Sequence, residues 1–333
     1  MFFIAEIGLN HNGEINLAKE MVLSAKESGA DAVKFQSIKA DKLVSSKTFE
    51  ETNDGFGLEG VKTSGDFWRK VSIDLEFHHE IKDFCDKNEI EFMSTPFDLA
   101  AVDLLENLQV KRYKIASGDI TFYPLLQKVA SCNKQIILST GGSFIGEIEE
   151  AVNLIKKNGT DDIVLLHCVS LYPTLPEIAN LYSIELLKKV FNLKVGFSDH
   201  TLGIHIPLAA IALGATYIEK HITIDKTLPG PDQKVSADPK EFKALVKQGK
   251  EIYSAVKNKS KEISDEEFKM RKLMRRGIVA ARDLPKGTVL LLDDIDFKRP
   301  ADGVSPVKLS EILGKVLVYT IEKDSPILLN YIH

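Results

Sequence analysis

Short apolar runs recur eight times along the first two thirds of the chain: Phe2–Ile7, Ala32–Gln36, Glu91–Thr95, Arg112–Ala116, Gln135–Ser139, Ile163–His167, Lys194–Ser198 and Tyr217–His221. Each has the length of a strand. Apart from a longer insertion after the second run, amphipathic stretches of helix length separate them. Eight βα units in succession predict a (β/α)8 TIM barrel. A polar or charged residue stands at or just past the end of every run: Glu6, Lys34, Thr95, Lys114, Ser139, Ser170, His200 and His221. Core packing does not account for that regularity. Barrel chemistry sits at the C-terminal strand ends, so these residues predict one converging site.

The helices carry their own punctuation. Asn16 is placed to cap the first, Leu17, Met21 and Ala25 recur at helical spacing, and Gly29 stops it. Asp238-Pro239 opens the last barrel helix, whose buried stripe is Phe242, Leu245, Val246, Gly249, Ile252 and Tyr253. The insertion from Ser37 to Asp74, with Thr52-Asn53-Asp54-Gly55, is too polar for core and reads as a lid or substrate wall. The pattern changes after residue 256. Residues 257–276 form a charged linker opening with Lys257-Asn258-Lys259-Ser260, and 277–333 form a small β-rich domain. Two of its pieces resemble one another, Asp283–Leu290 and Ile321–Leu328, each a polar turn followed by an apolar strand. So few residues make a marginal core, and this domain is expected to act as a lid or dimer element.

Composition narrows the class. The 333 residues exceed the roughly 250 of a plain barrel, which leaves room for the second domain. A net charge of −5 argues against nucleic acid or an anionic membrane as the main partner. The cysteines Cys85, Cys132 and Cys168 form no CxxC pair, Glu6 interrupts the apolar N-terminus, and no run is long enough to span a bilayer. A cytoplasmic enzyme is expected.

The strand ends suggest the chemistry. His200 and His221 close adjacent strands, and with the Glu6 carboxylate nearby they can hold a divalent cation, Asp199 orienting a ring nitrogen. Lys34 and Lys114 lie inside strands among apolar neighbours, where a lysine is costly to bury unless it meets an anion or acts as an amine nucleophile. Hydroxyls at Thr95, Ser117, Ser139 and Ser198, with Gly141-Gly142, can bind a small anion beside them. Metal and anion together point to a polarised carbonyl and a phosphorylated or carboxylated partner. Residue chemistry leaves condensation, aldol cleavage and isomerisation open.

Several motifs add a resemblance. Ala5-Glu6-Ile7-Gly8-Leu9-Asn10-His11-Asn12-Gly13, Ser94-Thr95-Pro96-Phe97, Tyr113-Lys114-Ile115-Ala116-Ser117-Gly118, Leu171-Tyr172-Pro173-Thr174, Phe197-Ser198-Asp199-His200-Thr201 and Pro229-Gly230-Pro231-Asp232 resemble the sialic acid synthase family. Lys298-Arg299-Pro300 resembles its C-terminal SAF (antifreeze-like) domain. The resemblance implies condensation of phosphoenolpyruvate with an open-chain N-acetylated amino sugar, giving a nine-carbon 2-keto acid and phosphate. It implies that Lys34, Thr95, Lys114, Ser117, Ser139, Ser170 and Ser198 bind phosphoenolpyruvate, and that His200 and His221 bind Mn²⁺ or Mg²⁺. Glu6 would handle the water proton or position the metal shell, making Glu6, Lys114, His200 and His221 the catalytic set. Gln36, Asp119 and Tyr172 would face the sugar, and Arg299 would reach it from the partner in a domain-swapped homodimer.

Some positions depart from the N-acetylneuraminate-making members. Asp119 replaces a Glu, Ser170 an Asn, Gln233 a His, and Phe67-Trp68-Arg69-Lys70 lacks the usual Tyr-Glu. Asp119-Ile120-Thr121 with Tyr123-Pro124-Leu125-Leu126 looks more like the legionaminic acid synthase branch, which implies 2,4-diacetamido-2,4,6-trideoxymannose as substrate. The alternatives are N-acetylneuraminate synthase acting on N-acetylmannosamine and pseudaminic acid synthase. Further off stand a Schiff-base aldolase using Lys114 and a non-catalytic sugar-binding protein.

Overall fold

The computed structural model describes residues 1–52, 55–257 and 260–333. Asn53 and Asp54 of the insertion and Asn258 and Lys259 of the linker lie outside the described residues. The chain divides into two compact units, Met1–Asn258 and Lys259–His333.

The first unit is a parallel barrel of β1 (Phe2–Gly8), β2 (Ala32–Ser37), β3 (Glu91–Pro96), β4 (Arg112–Ile115), β5 (Gln135–Ser139), β6 (Ile163–Cys168), β7 (Lys194–Asp199) and β8 (Tyr217–His221). The hydrogen-bonded order is β3-β2-β1-β8-β7-β6-β5-β4, every ladder parallel. Side chains close the remaining gap. Arg112 of β4 pairs with Glu91 of β3 at 2.6 Å and donates to Gln135 of β5 at 2.6 Å. Strand side chains alternate between two faces, so each run feeds both the barrel interior and the helix layer. Ile4, Ala32, Met93, Ile137, Val164 and Leu166 fill the middle of the interior. The next inward positions towards the C-terminal ends are polar, and they form the site described below.

The helices largely follow the sequence. The last one, Pro239–Val256, has Asp238 as cap in a capping box with Glu241, and Phe242, Leu245, Val246 and Gly249 are buried. Ile252 still packs against the barrel core, whereas Tyr253 is exposed. The first helix, Ile15–Glu27, begins two residues earlier than a cap at Asn16 would require. Glu14 occupies the cap position with no side-chain hydrogen bond, and a backbone turn from His11 to Glu14 starts the helix instead. The insertion also departs from expectation. It folds as short helices Ala40–Leu43, Ser46–Phe49 and Ser64–Val71, and its Ile38, Leu58, Phe67 and Val71 pack with Leu9 into a small core.

In the second unit, the segment read as linker contains a helix, Asp265–Met274, capped by Ser264 and exposed throughout. Beyond it β9 (Gly277–Ala280) and β10 (Ile295–Lys298) pair antiparallel. The two look-alike segments meet each other: Leu284 and Ile321 exchange both backbone hydrogen bonds at 2.8 Å. Ile278, Leu284, Leu290, Ile312, Ile321 and Ile327 are buried in a separate core of this unit.

Candidate active site

Ladder register brings the predicted residues together. Glu6 stands beside Lys34 on one side and His221 on the other, Gln36 beside Thr95, and Ser198 beside Glu219. These side chains border a cavity of about 300 Å³ at the C-terminal end of the barrel. Every predicted site residue lines it except Asp119 and Arg299. Asp119 lies in the turn Ser117–Asp119 just after β4, with one carboxylate oxygen buried and unbonded among the described residues. Arg299 belongs to the second unit and is exposed.

The floor of the cavity is a charged layer. Lys34 Nζ sits 2.7 Å from Glu6 Oε2 and donates to Thr95 Oγ1 at 3.1 Å. Lys114 Nζ donates to Ser139 Oγ at 2.6 Å and to the Ile115 carbonyl at 3.1 Å. Between the lysines lies Glu219, 3.8 Å from each ammonium, accepting from Ser198 Oγ at 2.9 Å. All four charged residues are at most 5% exposed. Burial opposes the charge of Lys34, but Glu219 and Glu6 outweigh it and raise its pKa above the ordinary lysine value. Burial lowers the Lys114 pKa, Glu219 only partly compensating. Burial also works against Glu219 as an anion, yet Lys114 and Lys34 hold its pKa below the usual carboxylate value.

Above this layer are the imidazoles. The His200 and His221 rings lie 5.7 Å apart, with the Tyr172 ring tilted against His200 at 4.1 Å. Nδ1 of His200 is 2.7 Å from the Val169 carbonyl, and burial, with His221 adding to it, pushes its pKa down to about 3. His200 is therefore a neutral ring. Asp199 does not orient it, contrary to expectation, because alternation turns the carboxylate to the outer face of β7. There Asp199 pairs with Lys220 at 2.6 Å and accepts from Thr201 N and Oγ1. Nδ1 of His221 is buried, accepts or donates no hydrogen bond among the described residues, and faces Asp232 at 3.6 Å. No group of three or more His, Cys, Asp or Glu among the described residues is arranged to hold a metal. The neutral His200 ring and the orphaned His221 nitrogen fit a cation that completes its shell from substrate or water.

Opposite the lysines, Gly141 makes an anion cradle possible. Its N–H donates to Ser117 Oγ at 3.0 Å. A Cβ at this position would come within 2.4 Å of Ser170 Oγ, 2.9 Å of Cys168 Sγ and 3.0 Å of Ser117 Oγ. Glycine is what lets these three side chains converge.

Sequence reading missed Glu219, Cys168 and Asp232 as site groups. For Glu219 the signal was available: in a strand where His221 faces inward, the residue two positions earlier does too. Gln233, read as a change bearing on the sugar, is fully buried and braces loops: it donates to the Asn10 carbonyl and accepts from Thr223. Gln36, expected to face the sugar, donates to Glu6 Oε1 at 2.9 Å.

Comparison with known proteins identifies the family. The NeuB family model matches residues 21–261 and the SAF domain model residues 275–331. The N,N'-diacetyllegionaminic acid synthase of Campylobacter jejuni is 45% identical over 96% of this chain and 97% of its own. That of Legionella pneumophila is 41% identical over 99% and 94%. The crystal structure of the N-acetylneuraminic acid (sialic acid) synthetase of Leptospira borgpetersenii, in complex with citrate, superposes with a TM-score of 0.74 at 36% identity, covering 81% of this chain and 89% of that one.

Proposed function

This chain belongs to the NeuB family, and from that premise we propose that it condenses phosphoenolpyruvate with an open-chain N-acetylated amino sugar. Its two named legionaminic relatives favour 2,4-diacetamido-2,4,6-trideoxymannose, with legionaminic acid as the product. The observation that carries the reading is the buried pair Lys34 and Lys114, ringed by hydroxyls, in one cavity with the imidazoles of His200 and His221.

In this reading the lysines, Thr95, Ser139 and the Ser117–Gly141–Ser170 cradle hold the carboxylate and phosphate of phosphoenolpyruvate. Gln36, Tyr172, Asp119 and Arg299 orient the sugar. The π electrons of the enol form the bond from the methylene carbon to the aldehyde carbon, and the aldehyde oxygen takes a proton. The adjoining carbon, left cationic, is attacked by water, whose proton passes to Glu6. Collapse of the resulting hemiketal phosphate breaks the carbon–oxygen bond to phosphate and leaves the 2-keto acid. His200 and His221 would hold Mn²⁺ or Mg²⁺, a Lewis acid that polarises the aldehyde when bound. The unpaired thiols Cys85, Cys132 and Cys168 suit a cytoplasmic setting. The reading extends to a swapped homodimer in which Arg299 serves the partner's barrel. Mixing His200→Ala with Arg299→Ala subunits should then restore activity that neither variant has alone.

The test is phosphate release from phosphoenolpyruvate with a panel of amino sugars. The diacetamido trideoxy sugar should be preferred over N-acetylmannosamine. Equal turnover of both removes the legionaminic assignment, and no release with any sugar removes the condensation.

A further inference from the structure

The charged layer poses a problem for its own ligand. Its two lysines are matched by two buried carboxylates, Glu6 and Glu219, so the layer is formally neutral before any anion enters. A pocket built only to hold phosphoenolpyruvate would leave its lysines uncompensated. Glu6 has a plain reason to be present, since it pairs with Lys34 at 2.7 Å and accepts from Gln36. Glu219 does not. It sits 3.8 Å from both ammonium groups, beyond direct hydrogen bonding, and only Ser198 donates to it. Its Oε2 accepts no hydrogen bond among the described residues although the side chain lines the cavity. A carboxylate held loosely by its cations and turned towards the substrate space is not placed as a brace.

We propose that Glu219 is the fixed negative charge against which the cationic carbon of the condensation develops, kept there at the expense of phosphoenolpyruvate affinity. The inference rests on the condensation proposed above. In that reaction the substrate is most anionic in the ground state, and one of its carbons becomes positive at the step water must intercept. A fixed anion in this buried layer disfavours the first and favours the second, so it raises the rate by differential binding. The alternative role, in which Glu219 merely spaces the lysines, predicts the opposite effect on binding.

Glu219→Gln keeps the size and the bond from Ser198 but removes the charge, and Glu219→Asp keeps the charge. Phosphoenolpyruvate binding is measured by calorimetry without sugar, turnover by phosphate release with sugar, and folding by the unfolding midpoint. An anion held by the two lysines lies within about 7 Å of Glu219, where one unit charge at an effective dielectric of about 20 shifts binding by more than tenfold. Glu219→Gln should therefore bind phosphoenolpyruvate more than tenfold tighter while turnover falls on the order of 100-fold. Glu219→Asp should bind like the parent and keep more activity than the Gln variant. Weaker binding by Glu219→Gln, or an Asp variant indistinguishable from it, overturns the proposal. A parent enzyme that binds no phosphoenolpyruvate overturns the condensation reading instead.

Discussion

Replacing Lys220 by Met should unfold the barrel more easily than any surface change. Lys220 and Asp199 are 1% exposed, their charged atoms are 2.6 Å apart, and Lys220 also donates to the Thr201 carbonyl at 2.8 Å. Coulomb attraction at that distance and an effective dielectric of about 20 is roughly 6 kcal/mol, most of which offsets the desolvation of the two ions. Removing one partner leaves a buried charge without its counter-ion, which typically costs about 3–5 kcal/mol. The Thr201 N–H and hydroxyl still donate to Asp199 at 2.9 and 2.8 Å, so about 3 kcal/mol is the appropriate figure. For a unit of this size that lowers the barrel's unfolding midpoint by roughly 6–12 °C. Asp199→Asn combined with Lys220→Met removes both charges, and should recover at least about 1 kcal/mol over Lys220→Met alone. Urea unfolding of the parent, Lys220→Met, Asp199→Asn and the double variant, followed on the barrel transition, measures these differences. A Lys220→Met penalty under about 1 kcal/mol, or a double variant as unstable as the sum of the singles, would refute the argument.

Other perturbations test the cavity. Gly141→Ala should weaken phosphoenolpyruvate binding by at least about tenfold without lowering the unfolding midpoint much, since the atoms nearest the new methyl are the side-chain ends of Ser170, Cys168 and Ser117; binding calorimetry reads this directly. Burial raises the Asp119 pKa to about 6, Lys114 partly opposing. The folded protein then holds a proton that the unfolded chain has released, so stability is lost as pH rises from about 4 through 6. Asp119→Asn should flatten that slope in midpoints measured across the window, and an unchanged slope counts against the assignment. Chelator should abolish turnover and Mn²⁺ restore it, and calorimetry should find Mn²⁺ binding lost in His200→Ala or His221→Ala. Borohydride with either substrate should trap no adduct at Lys114, whose ammonium is committed to Ser139 and the Ile115 carbonyl; a trapped adduct would favour an imine-forming aldolase.

The barrel was legible because its signal is local. A strand in a parallel barrel is buried on both faces, so it shows as a short continuous apolar run, and eight of these in order leave little freedom. The strand-end residues were legible for the same reason, each being a polar interruption in such a run. What escaped were properties that depend on neighbours. Whether Asp199 faces His200 or Lys220 is decided by alternation across the β7–β8 ladder, and an acidic residue next to a candidate ligand reads the same either way. Gln233 looked like a substrate-facing change, but its partners are Asn10 and Thr223, and the first is more than 200 positions away. The insertion looked too polar for core because Ile38, Leu58 and Phe67 are widely spaced in it, and Leu9, which completes their cluster, comes from another loop.

The strand β8 shows how much of the site depends on register alone. Its last residues alternate Glu219 inward, Lys220 outward and His221 inward, and both faces are buried. Slipping by one residue would drive Lys220 into a cavity that already holds two lysines and strip Asp199 of its partner. It would also press Glu219 and His221 into the apolar helix layer. Opposite charges on consecutive residues therefore act as a register lock, each side chain having a partner on one face only. The ladder to β1 sets Glu6 against His221, and the ladder to β7 sets Ser198 against Glu219. The same alternation that stabilises the strand thus delivers a carboxylate and an imidazole to one cavity at a fixed spacing.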